Sequence, residues 1–211
     1  MINKSFIEGK FPNILKFADI CPIYKKSDKY KCENYRPISL LSNLSKIFER
    51  AMHTRLKFFE AYNLLFETQF GFRKQHSTSH AIPSIIDDIK ENLDNKTFTC
   101  GVFIDLEKAF DTVNHDILLK KLQHYGIRGS QNSWFQSYLS NRKQKVKFDN
   151  DFSENLGISC GVPQGSILGP LLFLIYINDM HVSVKYSKMF HFADDTYLKY
   201  SDKCERSLRK R

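Results

Sequence analysis

The 211-residue sequence predicts an α+β fold in which helices and strands mix and neighbouring strands often pair antiparallel. Three observations carry this reading. Apolar residues recur at helical spacing in several segments, with short strand-like runs between them. Two of those runs, Tyr186–Phe192 and Thr196–Tyr200, flank a tight turn at Ala193-Asp194-Asp195, the pattern of a hairpin. Hydrophobic residues make up 42% of the chain and charged residues 26%, which supports a buried core and excludes a disordered chain. The length suits one large domain or two closely joined lobes.

The elements follow in order. Ala18–Tyr24 reads as a short strand broken by Pro22. Ser42 caps a helix running to about Tyr62, with Leu44, Ile47, Phe48, Ala51, Met52, Leu56 and Phe59 on one face. Ser77 or Ser79 starts a second helix through Ile85, Ile86, Ile89 and Leu93. Pro83 lacks the N–H and predicts a late start or a kink there. Thr97–Leu106 reads as a strand buried on at least one face. Asp116–Tyr125 is a helix stopped at Gly126, with Asp111, Asn114 and Asp116 capping or ordering it. Ser133–Leu139 is a short helix whose Trp134, Phe135 and Tyr138 are core. Gln144–Phe148 and Leu156–Cys160 read as paired strands. A turn, Gly161-Val-Pro-Gln-Gly165, leads into an apolar helix from about Gly169 to Asn178, with Pro170 in its first turn.

Composition narrows the class. The net charge is +9 and the pI about 9.2, which favours a polyanionic partner. Basic residues crowd Lys16–Lys31, Arg142–Lys147 and the end from Lys203 to Arg211. The five cysteines are odd in number and form no CxxC pair, as expected of free thiols in a reducing, intracellular compartment, nucleus or cytoplasm. His76 and His80 sit four apart with no further ligand to complete a zinc set. The longest apolar run, Ile167–Ile177, is too short to span a bilayer, so no membrane partner is expected.

Asp105 ends a hydrophobic strand, and Asp194-Asp195 sit in a tight turn. Adjacent acids in a turn repel unless a cation neutralises them. Mg²⁺ prefers oxygen ligands and shares its sphere with substrate phosphates. Two such ions about 4 Å apart activate a hydroxyl and stabilise a leaving pyrophosphate in in-line displacement. Asp105, Asp194 and Asp195 are therefore the candidate metal ligands and catalytic carboxylates, with two Mg²⁺ ions, or Mn²⁺ in their place, as cofactor.

Five longer strings agree. FIDLEKAFDTVNHDIL, beginning at Phe103, resembles the first catalytic motif of reverse transcriptases. GVPQGSILGPLLFLIYINDM (161–180) resembles the second, and FADDT (192–196) the third. NYRPISLLSNLSKIFERAM (34–52) and QFGFRKQHST (69–78) resemble finger motifs of non-LTR retrotransposon enzymes of the jockey and CR1 type. The strings lie in family order from about residue 9 to 200. The resemblance implies a right-hand polymerase fold: a small antiparallel palm sheet backed by helices, with fingers of helix and strand. Roughly 1–95 would be fingers, and 96–211 mostly palm with some finger elements. The implied activity is RNA-directed DNA synthesis, with RNA template, DNA primer and dNTPs as partners. Leu106 would offer a backbone carbonyl to a metal. Phe110 would lie under the incoming sugar and exclude a 2′-hydroxyl. Gln164 would contact the incoming nucleotide, and Arg73 the triphosphate. Arg36 is a further phosphate or template candidate. Pro163, Gly165 and Ala193 would approach the nucleic acid, Gly165 through its missing Cβ.

Relatives continue past the Asp-Asp box into further palm strands and a thumb. This chain is therefore expected to be fingers and most of a palm from a longer reading frame, with little processive synthesis in isolation. The alternatives are a non-catalytic RNA-binding remnant, a telomerase-like or group II intron-type enzyme, and, more remotely, an RNA-dependent RNA polymerase, against which Phe110 speaks.

Overall fold

The computed structural model describes residues 1–149 and 151–204. Glu205–Arg211, most of the basic end noted above, lie outside them. In chain order the elements are α1 (Ile2–Glu8), β1 (Phe17–Tyr24), β2 (Tyr35–Leu40), α2 (Asn43–Arg55), α3 (Phe58–Ala61), α4 (Thr78–Asp94) and β3 (Phe98–Ile104). There follow α5 (His115–His124), α6 (Gly129–Leu139), β4 (Arg142–Phe148), β5 (Asp151–Phe152), β6 (Leu156–Ile158), α7 (Gly169–Ile177), β7 (Ser187–Phe192) and β8 (Asp195–Asp202). They gather into two units, each discontinuous in sequence. One joins Met1–Lys57 to Phe110–Tyr176; the other joins Phe58–Ala109 to the chain from Ile177 onward.

The first unit holds a sheet in the order β2-β1-β4-β5, with β6 also paired to β4. β1 is antiparallel to β2 but parallel to β4, so this sheet is mixed. Pro22 does not break β1, contrary to expectation. It stands opposite Pro37, and pairing to β4 stops at Ile20. A proline pair fills a position where no cross-strand N–H bond is made, so no donor is missed. Phe11 packs edge-on against Phe48, Trp134 and Tyr138 at 5.9, 5.4 and 5.1 Å. Trp134, Phe135 and Tyr138 are fully buried, as the sequence predicts.

Ser42 caps α2, accepting from the Ser45 N–H at 3.1 Å. The helix stops at Arg55, short of the expected Tyr62, and Leu44 and Ile47 are 61% and 51% exposed. Its inward face is centred instead on Ser45, Phe48, Glu49, Met52 and Leu56. A carboxylate can sit there because it is fully bonded. Glu49 accepts from the Ile167 N–H at 2.7 Å and from Ser45 Oγ at 3.1 Å. Burial pushes its pKa up against those hydrogen bonds.

The second unit holds the antiparallel sheet β3-β8-β7. Ala81 and Ile85 of α4 pack with Phe70 on Phe190, Phe192 and Tyr197. Asp88, further along α4, accepts from Lys188 at 2.7 Å and pairs with Lys199. Burial pushes the Asp88 carboxyl up, but hydrogen bonds from the two lysines outweigh it and hold it below its ordinary value. α4 begins at Thr78 after Ser77 and continues through Pro83, so of the late start or kink expected there, the late start is absent. The bond lost there belongs to the carbonyl of Ser79, an exposed residue that water can satisfy. β3 also departs from expectation. It is the edge strand, α4 sets its apolar residues over β7 and β8, and Phe103 is 82% exposed.

Candidate active site

Sheet register brings the three predicted carboxylates together. The β3–β8 ladder ends at Ile104 opposite Thr196, so Asp105 and Asp195 are the next cross-strand neighbours. The β7–β8 ladder closes at Phe192 opposite Asp195, leaving Ala193 and Asp194 as the two turn residues. One end of a three-stranded sheet thus carries Asp105, Asp194 and Asp195, with Leu106 following Asp105. Asp105 and Asp195 are exposed and Asp194 is half-buried. Among the described residues none of the three side chains has a hydrogen bond or ion pair. Like charges on adjacent strands destabilise a sheet unless something neutralises them.

The donor set suits a hard divalent cation, which takes carboxylate and carbonyl oxygens. As the side chains stand, no three His, Cys, Asp or Glu residues among those described converge on an ion. Exposed carboxylates can turn about χ1 and χ2 to meet one, on a backbone that the register already fixes.

That backbone is strongly held. Ala193 has φ +57, a conformation L-residues rarely adopt. The Gln69 side chain spans it: Oε1 accepts from the Ala193 N–H at 3.0 Å, and Nε2 donates to the Ala193 carbonyl at 3.3 Å. Oε1 also accepts from the Gly71 N–H at 2.8 Å. Thr68–Phe70 runs along β7, with Phe70 N–H bonded to His191 O at 2.8 Å and His191 N–H to Thr68 O at 2.9 Å. His191 is buried, and its Nδ1 lies 2.9 Å from Thr196 Oγ1. Burial, and next the neighbouring His181, lower its pKa to about 4, so it is neutral at physiological pH.

Arg73 belongs to the same loop. Its side chain is only 6% exposed. Nη1 donates to the carbonyls of Phe66 and Gln69 at 3.0 and 3.3 Å, and Nη2 reaches Glu60 at 3.4 Å. The guanidinium therefore staples Phe66–Arg73 rather than standing at the surface.

The remaining predicted residues lie in the first unit. Phe110 is half-buried and stacks on Phe173 at 4.5 Å. The turn 161–165 is docked on the segment after Phe110. Gly161 N–H bonds Val113 O, and Val162 N–H bonds Phe110 O, each at 2.8 Å. His115 Nε2 lies 2.7 Å from Gly161 O. Gln164 gives Nε2 to both Asp111 carboxylate oxygens, and its own carbonyl accepts from Ser39 N–H at 2.7 Å. Gly165, at φ +112, lies so close to β2 that a Cβ would stand 2.8 Å from Ser39 O. Pro163 is buried, and Arg36 on β2 is exposed.

Two residues carry roles that the sequence does not reveal. Gln69 falls within QFGFRKQHST, and nothing in its spacing marks it as a partner of the Asp-Asp turn. Of Asp111, Asn114 and Asp116, expected to cap or order α5, Asn114 makes the cap, and Asp111 also holds Gln164.

A mixed α/β chain with three acids gathered at one hairpin end of an antiparallel sheet has the outline of a polymerase palm. Comparison with known proteins agrees. The family model "Reverse transcriptase (RNA-dependent DNA polymerase)" matches residues 23–210, and the chain belongs to that family. It is 36% identical to the probable RNA-directed DNA polymerase from transposon BS of Drosophila melanogaster, over 92% of this chain and 22% of that protein. It is 34% identical to the RNA-directed DNA polymerase from mobile element jockey of the same species, over 89% and 21%. These are non-LTR retrotransposon proteins, of the kind the finger strings resemble. The chain spans about a fifth of their length. Apo telomerase from Candida tropicalis shares the fold, with TM-score 0.59 at 14% identity over 93% of this chain and 41% of that one. So does the RNA-dependent RNA polymerase of bacteriophage phi12, with TM-score 0.52 at 8% identity over 99% and 40%. No helix among the described residues is long and apolar enough to cross a membrane.

Proposed function

We propose that this chain carries the polymerising site of a non-LTR retrotransposon reverse transcriptase, and that Asp105, Asp194 and Asp195 hold two divalent ions there. The observation that carries this is the meeting of three unpaired carboxylates at the end of β3, β7 and β8. The reverse transcriptase family generally uses divalent ions, and Mg²⁺, or Mn²⁺ in its place, matches the oxygen donors present. When bound, such ions supply Lewis acidity to a primer 3′-hydroxyl and to the triphosphate.

The chain's own residues do the rest. Asp105 lies across from Asp195, and Asp194 is the turn residue next to Asp195. Asp105 and Asp194 are proposed as the direct ligands and Asp195 as the less direct one, with the Leu106 carbonyl beside them. Phe110, stiffened by stacking on Phe173, is proposed to exclude a 2′-hydroxyl and so select dNTPs. Gln164 is proposed to meet the incoming nucleotide from a loop fixed by Asp111. Pro163, Gly165 and Ala193 would meet nucleic acid along their backbones, and Arg36 would meet a phosphate. The triphosphate role of Arg73 requires its guanidinium to leave the carbonyls of Phe66 and Gln69. The division into fingers over about 1–95 and palm over 96–211 is proposed on the order of the motifs.

RNA template, DNA primer and dNTPs are the substrates this reading requires. The test is single-nucleotide incorporation on poly(rA)–oligo(dT) with Mg²⁺ or Mn²⁺. Addition of dTMP that Asp194→Asn abolishes supports the proposal. Addition of equal size in the variant overturns it. RNA binding with no incorporation at any ion concentration favours a non-catalytic module instead.

A further inference from the structure

We infer that Gln69 is a positioning residue for the Asp194-Asp195 turn, acting through the Ala193 peptide units. This rests on the two-metal reading above.

The geometry is specific. A side-chain amide that both accepts the N–H and donates to the C=O of one residue fixes that residue's orientation about both of its peptide planes. Gln69 does this to Ala193, the residue immediately before Asp194. It is 3% exposed, so its amide has no competing water, and its remaining acceptor capacity goes to the Gly71 N–H. Ala193 needs such restraint. Its φ of +57 is unfavourable for an L-residue and persists only where surroundings over-determine it. A second feature points the same way. A Cβ on Gly71 would stand 2.1 Å from the Ala193 nitrogen, so the loop reaches the turn only because residue 71 is glycine. The parallel bridge between Gln69 and His191 sets the register of the approach. The Gln69 amide, its partner Gly71 and the strained turn form one clamp, which holds the Asp194 Cα where its carboxylate is used.

Carboxylate placement acts on the chemical step more than on nucleotide affinity. Gln69→Leu fills the same space without the hydrogen bonds. It is expected to lower the rate of dTMP addition about ten- to a hundredfold, with dTTP KM within about twofold. Gln69→Glu keeps the acceptor for Ala193 N–H and Gly71 N–H but sets a carboxylate oxygen against the Ala193 carbonyl at a buried position, so its rate should fall below the parent's and stay above that of Gln69→Leu. Gly71→Ala, which pushes the loop off the turn, should resemble Gln69→Leu. Amide hydrogen exchange reads the clamp without catalysis. The Ala193 amide should lose protection in Gln69→Leu and keep it in Gln69→Glu, while Phe190 and Leu198, inside the ladders, stay protected in both. Unchanged Ala193 protection in Gln69→Leu overturns the clamp, as does a rise in KM with the rate intact. Should Gln69→Leu fail to fold, Gln69→Asn, which retracts the amide by one methylene, gives the same two readings. Absence of any Asp194-dependent addition by the unmodified chain counts against the two-metal reading, and the exchange experiment still decides the clamp.

Discussion

Gln164 donates its side-chain nitrogen to both carboxylate oxygens of Asp111, at 2.9 and 3.0 Å. The residue proposed to meet the nucleotide is thus aimed by an acid that lies 53 positions earlier in the chain. Removing the acid should release the loop. Asp111→Ala is expected to lower unfolding free energy by about 1–2 kcal/mol in urea, the range for a charge-assisted bond that is partly exposed. It should also raise dNTP KM as much as Gln164→Ala does. An Asp111→Ala chain with unaltered stability and KM would show that the contact positions nothing.

Neutralising a carboxylate should stabilise the ion-free chain. Asp105, Asp194 and Asp195 lie together without partners among the described residues, and their repulsion is relieved by an amide. Asp194→Asn and Asp105→Asn are each expected to melt at higher temperature than the parent in EDTA, and to lose that advantage when Mg²⁺ is added. Differential scanning calorimetry with and without the ion checks this. Functional sites commonly trade stability in this direction. A lower melting temperature for both variants in EDTA contradicts the prediction.

His191 makes the hairpin sensitive to acid. Folded, it stays neutral down to about pH 4; unfolded, it takes a proton near 6.5. Between those values the unfolded state binds more protons. The stabilisation is therefore whole above about pH 6.5 and is lost as pH falls toward 4. The loss at its limit is on the order of 3 kcal/mol. Urea midpoints measured from pH 7.5 to 4.5 should fall more steeply for the parent than for His191→Gln. Equal slopes would assign the acid sensitivity to other groups.

Phe110 tests sugar selection. Phe110→Val should raise the ratio of rNTP to dNTP incorporation at least about tenfold, since a rejected isostere regains room for its hydroxyl. Loss of the stack on Phe173 should cost about 1–2 kcal/mol in the same variant. A stability loss with no change in rNTP use would make Phe110 a core aromatic only.

Much of this was legible in the sequence, for physical reasons. The hairpin at 186–200 could be read because two short apolar runs are separated abruptly by a pair of acids. The Ser42 and Gly126 boundaries could be read because capping chemistry is local. Trp134, Phe135 and Tyr138 could be placed in the core because large aromatics bury. What failed depended on partners distant in sequence. The inward face of α2 moved off Leu44 and Ile47 because Glu49 finds the Ile167 N–H. Pro22 stayed in its strand because Pro37 lies opposite. Phe103 proved exposed because β3 is an edge, which a single strand's pattern does not reveal. Gln69 and Asp111 escaped for the same reason. Each is one polar residue whose meaning comes from a backbone or amide 53 to 124 positions away.

Divalent-ion binding decides between a built carboxylate site and three acids that hold no ion. Mn²⁺ titration followed by electron paramagnetic resonance, on the unmodified chain and on Asp105→Asn and Asp194→Asn, separates the two. Saturable binding by the parent that either substitution removes, and that Mg²⁺ displaces, is the expected result. Binding of the same strength in all three chains, or none in the parent, would contradict the assignment of Asp105, Asp194 and Asp195 to a metal site.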